Sequence, residues 1–208
     1  MPTIVDRDRV IDLVADQAQL VEVLPREEYD EEHLPEAISL PLKTLDRESA
    51  ALLDRARPVV VYCWDALCDM SPRAAGRLEH LGFDAYDYTV GKADWLAAGL
   101  PSVRAGATEQ RALDVADRDP QICPPGAPVA SLDGPVVVVS AERIVLGWLR
   151  PGDHPPGARA DEVMDPGPST VRAHEPLDPL LERMSSRRVH EIVVTTPEGR
   201  LLGVVHRS

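Results

Sequence analysis

Two cysteines lie in one short segment of this 208-residue chain, and their thiols could perform covalent chemistry. Cys63 directly follows an apolar, β-branched run, and Cys68 stands five positions later, before Ser71 and Pro72. Ser as an N-cap and Pro at the first helical position predict a helix there. Backbone N–H groups and the helix dipole lower the pKa of a thiol between strand and helix. Cys63 is therefore a candidate nucleophile; the alternative is a buried structural thiol.

Other cysteine chemistry fits the spacing less well. Two thiols in one segment could begin a zinc site, but Cys123 and His80 are isolated and no second pair completes a tetrahedron. A cysteine phosphatase needs an arginine six residues after the cysteine, and Asp69 stands there. We expect no metal and no required cofactor at this segment.

The elements that must position Cys63 alternate between helix and strand over the first hundred residues. Apolar periodicity and breakers predict helices at 8–17, 46–55, 73–81 and 94–99, and strands at 19–24, 38–42, 58–62 and 83–86. The run 58–62 is apolar throughout, as is typical of a strand buried on both faces. The alternation predicts an α/β fold with a parallel sheet flanked by helices, in which ligands bind beyond the carboxyl ends of the strands.

Several segments of this region, taken in order, resemble a rhodanese-like domain. The matching segments are 21–29 and 33–41, which resemble the family's Asp-Val-Arg, Glu-Tyr and His-Ile-Pro-Gly-Ala elements, the active-site strand 59–63, the helix start 71–75 and the closing segment 90–101. The resemblance implies that Cys63 accepts sulfur from a donor as a persulfide and passes it to a thiol or protein acceptor. It implies a cradle of loop N–H groups contributed by Trp64, Asp65, Ala66, Leu67, Asp69, Met70, Ser71 and the neighbouring Arg73.

The sequence departs from the family pattern at the same site. Glu22 and Leu24 replace the usual Asp and Arg, and the loop from Cys63 to the helix has two extra residues. The loop carries Asp65 and Asp69 and no base, so we expect repulsion of a dianion such as thiosulfate and a less charged donor, such as a protein persulfide. Cys68 either resolves a Cys63 persulfide by forming a disulfide, or is a spectator.

The second half of the chain contains an internal repeat. Residues 114–129 match residues 162–177 at an offset of 48, and residues 136–147 match residues 192–203 at an offset of 56. Residues 136–147 and 192–203 each predict a hairpin. In the second copy a predicted helix at 177–188 precedes the hairpin, and in the first copy this helix shrinks to a turn at 130–135.

The two copies resemble a degenerate CBS-domain pair, an α+β tandem module. We therefore predict a rhodanese-like domain at 1–103 and a CBS pair at 108–208, with a shortened first unit at about 108–155 and a second at about 156–208. The resemblance implies an adenine nucleotide as a candidate ligand, held by a Gly-x-x-Ser/Thr-x-x-Asp ending. Gly147 and Asp153 keep part of that ending, Gly203 and His206 keep less, and Arg150 replaces the hydroxyl residue. The alternative is a structural module that forms a homodimer.

Charge excludes some functions. The formal net charge is −13, and the first 103 residues hold 20 acidic and 10 basic residues. We do not expect so acidic a chain to bind along the phosphate backbone of a nucleic acid. No apolar run approaches the roughly 20 residues of a membrane span, and the N-terminus lacks a signal-peptide core. We expect a cytoplasmic protein that binds neither nucleic acid nor membrane.

Two functional hypotheses follow. The first is a sulfurtransferase that uses Cys63, coupled to a regulatory or dimerising CBS module. The second is a catalytically inactive adaptor or nucleotide-sensing regulator. The retained Cys63 favours the first hypothesis, whereas the acidic loop and the altered CBS endings favour the second.

Overall fold

A computed structural model describes residues 2–106, 109–129, 132 and 134–207. The chain divides into an N-terminal unit, Met1–Leu96 with Leu100–Ala107, and a C-terminal unit, Ala97–Gly99 with Thr108–Ser208. Within the described ranges, no helix is both long and apolar enough to cross a membrane.

The N-terminal unit alternates short strands with helices. Its strands are β1 (Thr3–Ile4), β2 (Gln19–Glu22), β3 (Glu32–His33), β4 (Ile38–Ser39), β5 (Val59–Tyr62), β6 (Ala85–Tyr88) and β7 (Val103–Arg104). Its α-helices are α1 (Arg7–Ala15), α2 (Arg26–Glu31), α3 (Met70–His80) and α4 (Gly91–Ala97), and Leu42–Thr44 and Ser49–Leu52 form 3-10 turns. The α/β class predicted from the alternation is confirmed.

Five strands form a parallel sheet in the order β1-β6-β5-β2-β4, so β5 is central. All four residues of β5 are buried. Their alternation sends Val59 and Val61 to the core that contains Leu78 of α3, and Val60 and Tyr62 to the core on the other face. Cys63 continues the first set and therefore lies on the α3 side of the sheet.

Three predicted elements differ in the structure. The helix expected at 46–55 is only the short turn Ser49–Leu52. Helix α4 begins at Gly91, earlier than the expected 94. Helix α3 begins at Met70, with Asp69 at the N-cap and no side-chain cap hydrogen bond. Ser71 is therefore not the N-cap that the sequence predicts, because it lies inside the first turn and is buried near Cys63.

The C-terminal unit has its own strands and helices. They are α5 (Ala112–Val115), β8 (Ile122–Cys123), β9 (Val136–Val139), β10 (Val145–Leu149), α6 (Ala160–Val163), β11 (Asp165–Pro166), β12 (Thr170–Arg172), α7 (Leu177–Ser186), β13 (Glu191–Thr195) and β14 (Leu201–His206). Helix α7 agrees with the helix predicted at 177–188. The shortened helix predicted at 130–135 involves residues 130, 131 and 133, which lie outside the described residues.

The same strand arrangement occurs twice in this unit. Strand β8 pairs parallel to β9, which forms an antiparallel hairpin with β10; strand β12 pairs parallel to β13, which forms an antiparallel hairpin with β14. Strand β11 adds to the free side of β10. Bridges join Arg111 to Pro176 and Pro128 to Arg159, pairs that exchange under the offset of 48. Each half thus contributes a segment to the other, which buries apolar faces that one half alone would expose.

Candidate functional site

Cys63 lies immediately beyond the carboxyl end of β5, where the sequence places it. Its side chain is completely buried among the core residues on the α3 side of the sheet. Its carbonyl oxygen accepts the backbone N–H of Lys92 at 3.0 Å. Strand β5 and the start of α4 therefore fix the backbone that carries the thiol.

The groups around the sulfur differ from the predicted cradle of N–H donors. Cys63 Sγ lies 3.4 Å from the carbonyl oxygen of Cys68 and 3.9 Å from that of Asp65, and these two oxygens can only accept. Sγ also lies 3.4 Å from Ser71 Oγ, and the Ser71 backbone N–H favours the thiolate. Carbonyl oxygens favour the protonated thiol, whereas donors favour the thiolate.

The expected lowering of the Cys63 pKa is therefore wrong. Burial raises the pKa of this thiol to about 11, and the contact with the Cys68 thiol adds to the rise. The hydrogen bonds from Ser71 lower the pKa but do not outweigh burial. The resting side chain is a neutral thiol at pH 7.

The local fold of the loop explains why few N–H groups reach the sulfur. Asp65 Oδ1 accepts the N–H of Leu67 at 2.9 Å, and the Asp65 carbonyl oxygen accepts the N–H of Cys68 at 3.1 Å. These two donors are used inside the loop instead of facing Cys63. An aspartate that bonds its own downstream backbone is a turn former, so Asp65 sets the shape of the loop.

The other predicted cradle residues lie farther from the chemistry. Among the described residues, those with hydrogen bonds to Cys63 Sγ are Asp65, Cys68 and Ser71. The exposed members of the predicted cradle are Trp64, Ala66, Leu67, Asp69 and Arg73, and Met70 is half-buried against the same core as Cys63. Asp69 and Arg73 form an exposed ion pair at 3.4 Å.

Cys68 is the second thiol of the site. It is half-buried, packs against the core that contains Cys63, and its thiol interacts with the Cys63 thiol. Neither cysteine is in a disulfide. The structure therefore brings the two predicted thiols together, with Cys68 the more exposed of the two.

A buried ion pair beneath the site was not predicted. Lys92 Nζ lies 2.7 Å from Glu22 Oε1, both side chains are at most 1% exposed, and Nζ also donates to the carbonyl oxygen of Glu28 at 3.2 Å. Burial raises the pKa of Glu22, while Lys92 opposes that rise. Nζ stands 5.6 Å from the centroid of the Trp64 ring. An acid within the apolar run of β2 was the available signal, since a buried carboxylate needs a partner.

The backbone position of Gly91, beside Cys63, requires a glycine. Its φ is +58°, and a Cβ there would stand 2.5 Å from the carbonyl oxygen of Cys63. A glycine is needed because an L side chain would be strained and would strike this backbone.

A basic cavity lies next to the loop and was also missed. It has a volume of about 650 Å³ and opens between the residues after β2, the residues after β4, and α3. Its lining contains the cations Arg26, Lys43, Arg73 and Arg77. The acidic loop predicted repulsion of anions, but cations from three other segments surround the neighbouring space.

In the C-terminal unit, two of the predicted nucleotide residues are explained by packing. A Cβ at Gly147 would stand 2.7 Å from the carbonyl oxygen of Asp165, and one at Gly203 would stand 2.6 Å from that of Asp117. Asp165 follows Asp117 by the offset of 48, so both glycines permit the same close approach between the halves. Each glycine is accounted for without a ligand.

The other predicted nucleotide residues lie at the surface. Asp153 is exposed after β10, and His206 is 53% exposed at the end of β14, with its ring 3.9 Å from Glu191. Arg150, at the position expected for a hydroxyl, forms ion pairs with Asp165 at 3.1 Å and with Glu191 at 3.6 Å. A cavity of about 310 Å³ between β12, α7 and β13 is lined by none of the four predicted nucleotide residues.

Comparisons with known proteins agree with this architecture. Residues 6–98 match the family model of the rhodanese-like domain, and residues 160–208 match that of the CBS domain. The HTH-type transcriptional regulator Rv0324 of Mycobacterium tuberculosis is 37% identical over 87 residues, which are 42% of this chain and 38% of that protein. The match thus spans about two fifths of the curated relative's length.

Two solved structures are similar over about half of the chain. A rhodanese-related protein from Thermoplasma volcanium is 22% identical, with 49% of this chain and 97% of that chain covered and a TM-score of 0.44. The CBS domains of a transcriptional regulator from Streptococcus pneumoniae are 19% identical, with 47% and 93% covered and a TM-score of 0.41. The family matches, in the order found along the sequence, show that this chain contains a rhodanese-like domain at residues 6–98 followed by a CBS domain at residues 160–208.

Proposed function

We propose that the rhodanese-like domain is a sulfurtransferase that carries sulfur as a persulfide on Cys63. The observation that carries this proposal is the position of the thiol. Cys63 follows the central strand of a parallel sheet, at the carboxyl edge where such folds bind ligands, and Ser71 of the following helix lies beside the sulfur with its N–H and with its Oγ at 3.4 Å, an oxygen that can donate once the thiol is ionised. A thiol with these donors can hold an additional sulfur atom as an anion.

In this proposal the resting thiol is activated when the loop changes shape. The neutral thiol must lose its proton before it attacks, because the thiolate is the nucleophile. The carbonyl oxygens of Asp65 and Cys68 oppose that loss. Release of the Leu67 and Cys68 N–H groups from Asp65 would supply donors to the sulfur in place of these acceptors.

Cys68 has one of two alternative roles within this proposal. As a resolving thiol it attacks the Cys63 sulfur of the persulfide, so that a Cys63–Cys68 disulfide forms, the bond to the outer sulfur breaks and hydrosulfide leaves. As a spectator it only fills the enlarged loop. The contact between the two thiols supports the first role.

Intact mass spectrometry tests the proposal. The full chain is incubated with thiosulfate or with an organic persulfide, and the Cys63→Ser and Cys68→Ser variants are matched controls. We expect a gain of one sulfur atom that Cys63→Ser abolishes. In the resolving role, Cys68→Ser accumulates more persulfide and releases less hydrosulfide than the wild type. The absence of any mass gain, or a gain that survives Cys63→Ser, would reject Cys63 as the carrier.

For the C-terminal region we propose a CBS pair, with units at about 108–155 and 156–208, that regulates or dimerises the protein. The swapped bridges between the halves support pairing. The packing role of Gly147 and Gly203 and the ion pairs of Arg150 favour a structural role over nucleotide binding. Thermal-shift measurements with adenine nucleotides should give a flat response, and light scattering should report a dimer. A monomer that is stabilised by a nucleotide would reverse this preference.

A further inference from the structure

The basic cavity is assembled from three separate parts of the rhodanese-like domain. Residues 25–27 follow β2, residues 41–44 follow β4, and three residues of α3 complete the lining. These segments meet because β2 pairs parallel with both β4 and β5, the strand that precedes α3. Among the described residues, neither Cys63 nor any residue bonded to its sulfur lines this space. The basic cavity is therefore a site apart from the thiol pocket.

The charge of the basic cavity is opposite to that of its domain. The first 103 residues have 20 acidic and 10 basic residues. Four of those ten basic residues, Arg26, Lys43, Arg73 and Arg77, line this one cavity, together with a single acid, Glu27. A local concentration of positive charge on an acidic domain attracts a ligand of negative charge.

Arg77 is the fixed cation of the basic cavity. Its Nη1 donates to the carbonyl oxygens of Leu42 at 3.2 Å and Leu45 at 2.7 Å, so the segment after β4 holds the guanidinium in place. Within the described part of the chain, no acceptor binds Arg77 Nε or Nη2. A guanidinium held in one orientation offers its remaining donors to a carboxylate or a phosphate in the paired geometry that both groups favour.

The other three cations can turn to a ligand without breaking a strong interaction. Lys43 is exposed, and its side chain forms no hydrogen bond or ion pair with any described residue. Arg26 and Arg73 each pair with an exposed aspartate four residues away, and Arg26 also lies over the ring of Tyr29 at 5.1 Å. Exposed pairs of this kind contribute little to stability.

The volume and the walls of the basic cavity indicate an organic ligand. At about 650 Å³, the cavity falls in the range of roughly 300–1,000 Å³ that holds a small organic molecule. Val23, Leu42 and Met70 supply apolar wall on which a carbon skeleton can lie. A single inorganic anion would leave most of this space to water, whereas a molecule with several anionic groups can meet cations from more than one segment.

We propose that the basic cavity binds a small organic polyanion, a molecule with at least two carboxylate or phosphate groups on one carbon skeleton. Arg77 anchors one anionic group, and Lys43, Arg26 and Arg73 close on the others. This ligand is not a sulfur donor and undergoes no reaction in the cavity, so the inference does not rest on sulfur transfer to Cys63. Binding joins the three segments and stabilises the folded domain.

Titration calorimetry on the full chain at low ionic strength tests the ligand class. Citrate has three carboxylates, fructose 1,6-bisphosphate has two phosphates, and trimethyl citrate has the citrate skeleton without its charges. We expect at least one of the two anions to bind with saturation and the triester not to bind. The anion that binds more tightly identifies the preferred group. Failure of both anions to bind, or equal binding of citrate and its triester, would overturn the inference.

A pair of charge-reversed variants tests the location of the site. Lys43→Glu should weaken binding of the anion about tenfold, as expected when one charged contact is lost. Arg9→Glu is the matched control, because Arg9 is exposed on α1, which packs against the core on the other face of the sheet. Circular dichroism checks that both variants are folded. Equal weakening in both variants would mean that only net charge matters, and the basic cavity would be rejected as the site.

A third variant separates this inference from the proposed function. The anion should raise the Tm of the wild type and of Cys63→Ser by the same amount, and it should raise the Tm of Lys43→Glu less at the same concentration. Loss of the Tm shift in Cys63→Ser would show that the anion binds at the thiol pocket, which overturns the inference. The gain of one sulfur atom on Cys63 is measured without the anion, so either proposal can fail while the other stands.

Discussion

The thiol pocket and the basic cavity lie at the same edge of one sheet and have opposite character. The pocket around Cys63 is buried and presents the carbonyl oxygens of Asp65 and Cys68 to the sulfur. The cavity is open and presents cations, among them the exposed Lys43. The cations of this edge therefore stand apart from the buried sulfur atom.

The two lysines of this edge illustrate the same difference. Lys92 is buried, pairs with Glu22 at 2.7 Å, and links the carbonyl oxygen of Glu28 to the sheet. Lys43 is exposed and has no described partner. A buried carboxylate such as that of Glu22 needs its counter-charge, whereas an exposed cation is available to a ligand.

The largest expected effect is on stability. Lys92→Ala should lower the free energy of unfolding by about 3–5 kcal/mol, because it leaves Glu22 buried without its counter-charge. Lys43→Ala should change it by no more than about 0.5 kcal/mol. Urea denaturation at pH 7 measures both. Similar losses of stability in the two variants would contradict the distinction between a buried structural lysine and an exposed one.

The pH dependence of this loss checks its cause. The pKa of Glu22 is already raised in the folded protein, so the folded state binds a proton more readily than the unfolded state and loses stability as pH rises through that pKa. Removal of Lys92 raises the pKa of Glu22 further, because Lys92 opposes the effect of burial. The loss in Lys92→Ala should therefore be smaller at pH 4 than at pH 7. The double variant Glu22→Leu, Lys92→Met should recover most of the stability, since no buried charge remains.

The second expected effect concerns the reactivity of the buried thiol. With a pKa of about 11, the Cys63 thiol is protonated at pH 7. Its alkylation by iodoacetamide, a neutral reagent, should rise about tenfold per pH unit from pH 7 to pH 10. Peptide mapping separates Cys63 from Cys68. A rate that levels off below pH 9 would mean that the loop stabilises the thiolate at rest.

The sequence correctly predicts the part of this site that is formed by residues close to Cys63 along the chain. The apolar run of β5 places Cys63 at a strand end, and Ser71 and Pro72 predict the helix that follows, although Asp69 and not Ser71 is its N-cap. The bonding of the Leu67 N–H to Asp65 was missed, although Asp is a known turn former. The sequence analysis therefore expects a lowered pKa for Cys63, whereas complete burial of the thiol raises it.

The distant half of the site could not be predicted in the same way. Arg26, Lys43 and Arg73 belong to different segments and share a cavity because the strands that precede them, β2, β4 and β5, are parallel neighbours. Glu22 and Lys92 are 70 residues apart. Single-sequence patterns carry no information on which distant charges meet. The position of one acid in a buried strand shows that a partner is needed but not which residue supplies it.

A smaller effect is expected from Cys68. Its thiol raises the pKa of Cys63, so Cys68→Ala should lower that pKa and increase the alkylation rate of Cys63 at pH 7 several-fold. The matched control is Cys123→Ala, because Cys123 lies in the C-terminal unit. An unchanged or slower rate in Cys68→Ala would show that Cys68 does not hold Cys63 in its protonated form.

The smallest expected effect separates the two regions by salt. The screening length falls from about 10 Å at 0.1 M to about 3 Å at 1 M ionic strength, so exposed charges interact less at high salt. Binding of a multivalent anion such as citrate in the basic cavity should weaken several-fold across this range, because Lys43 and Arg73 are exposed. Alkylation of Cys63 by neutral iodoacetamide should not change, since its pKa is set mainly by burial and by uncharged neighbours. If salt affects both measurements equally, the thiol senses the cavity charges directly, and the two regions act as one electrostatic site.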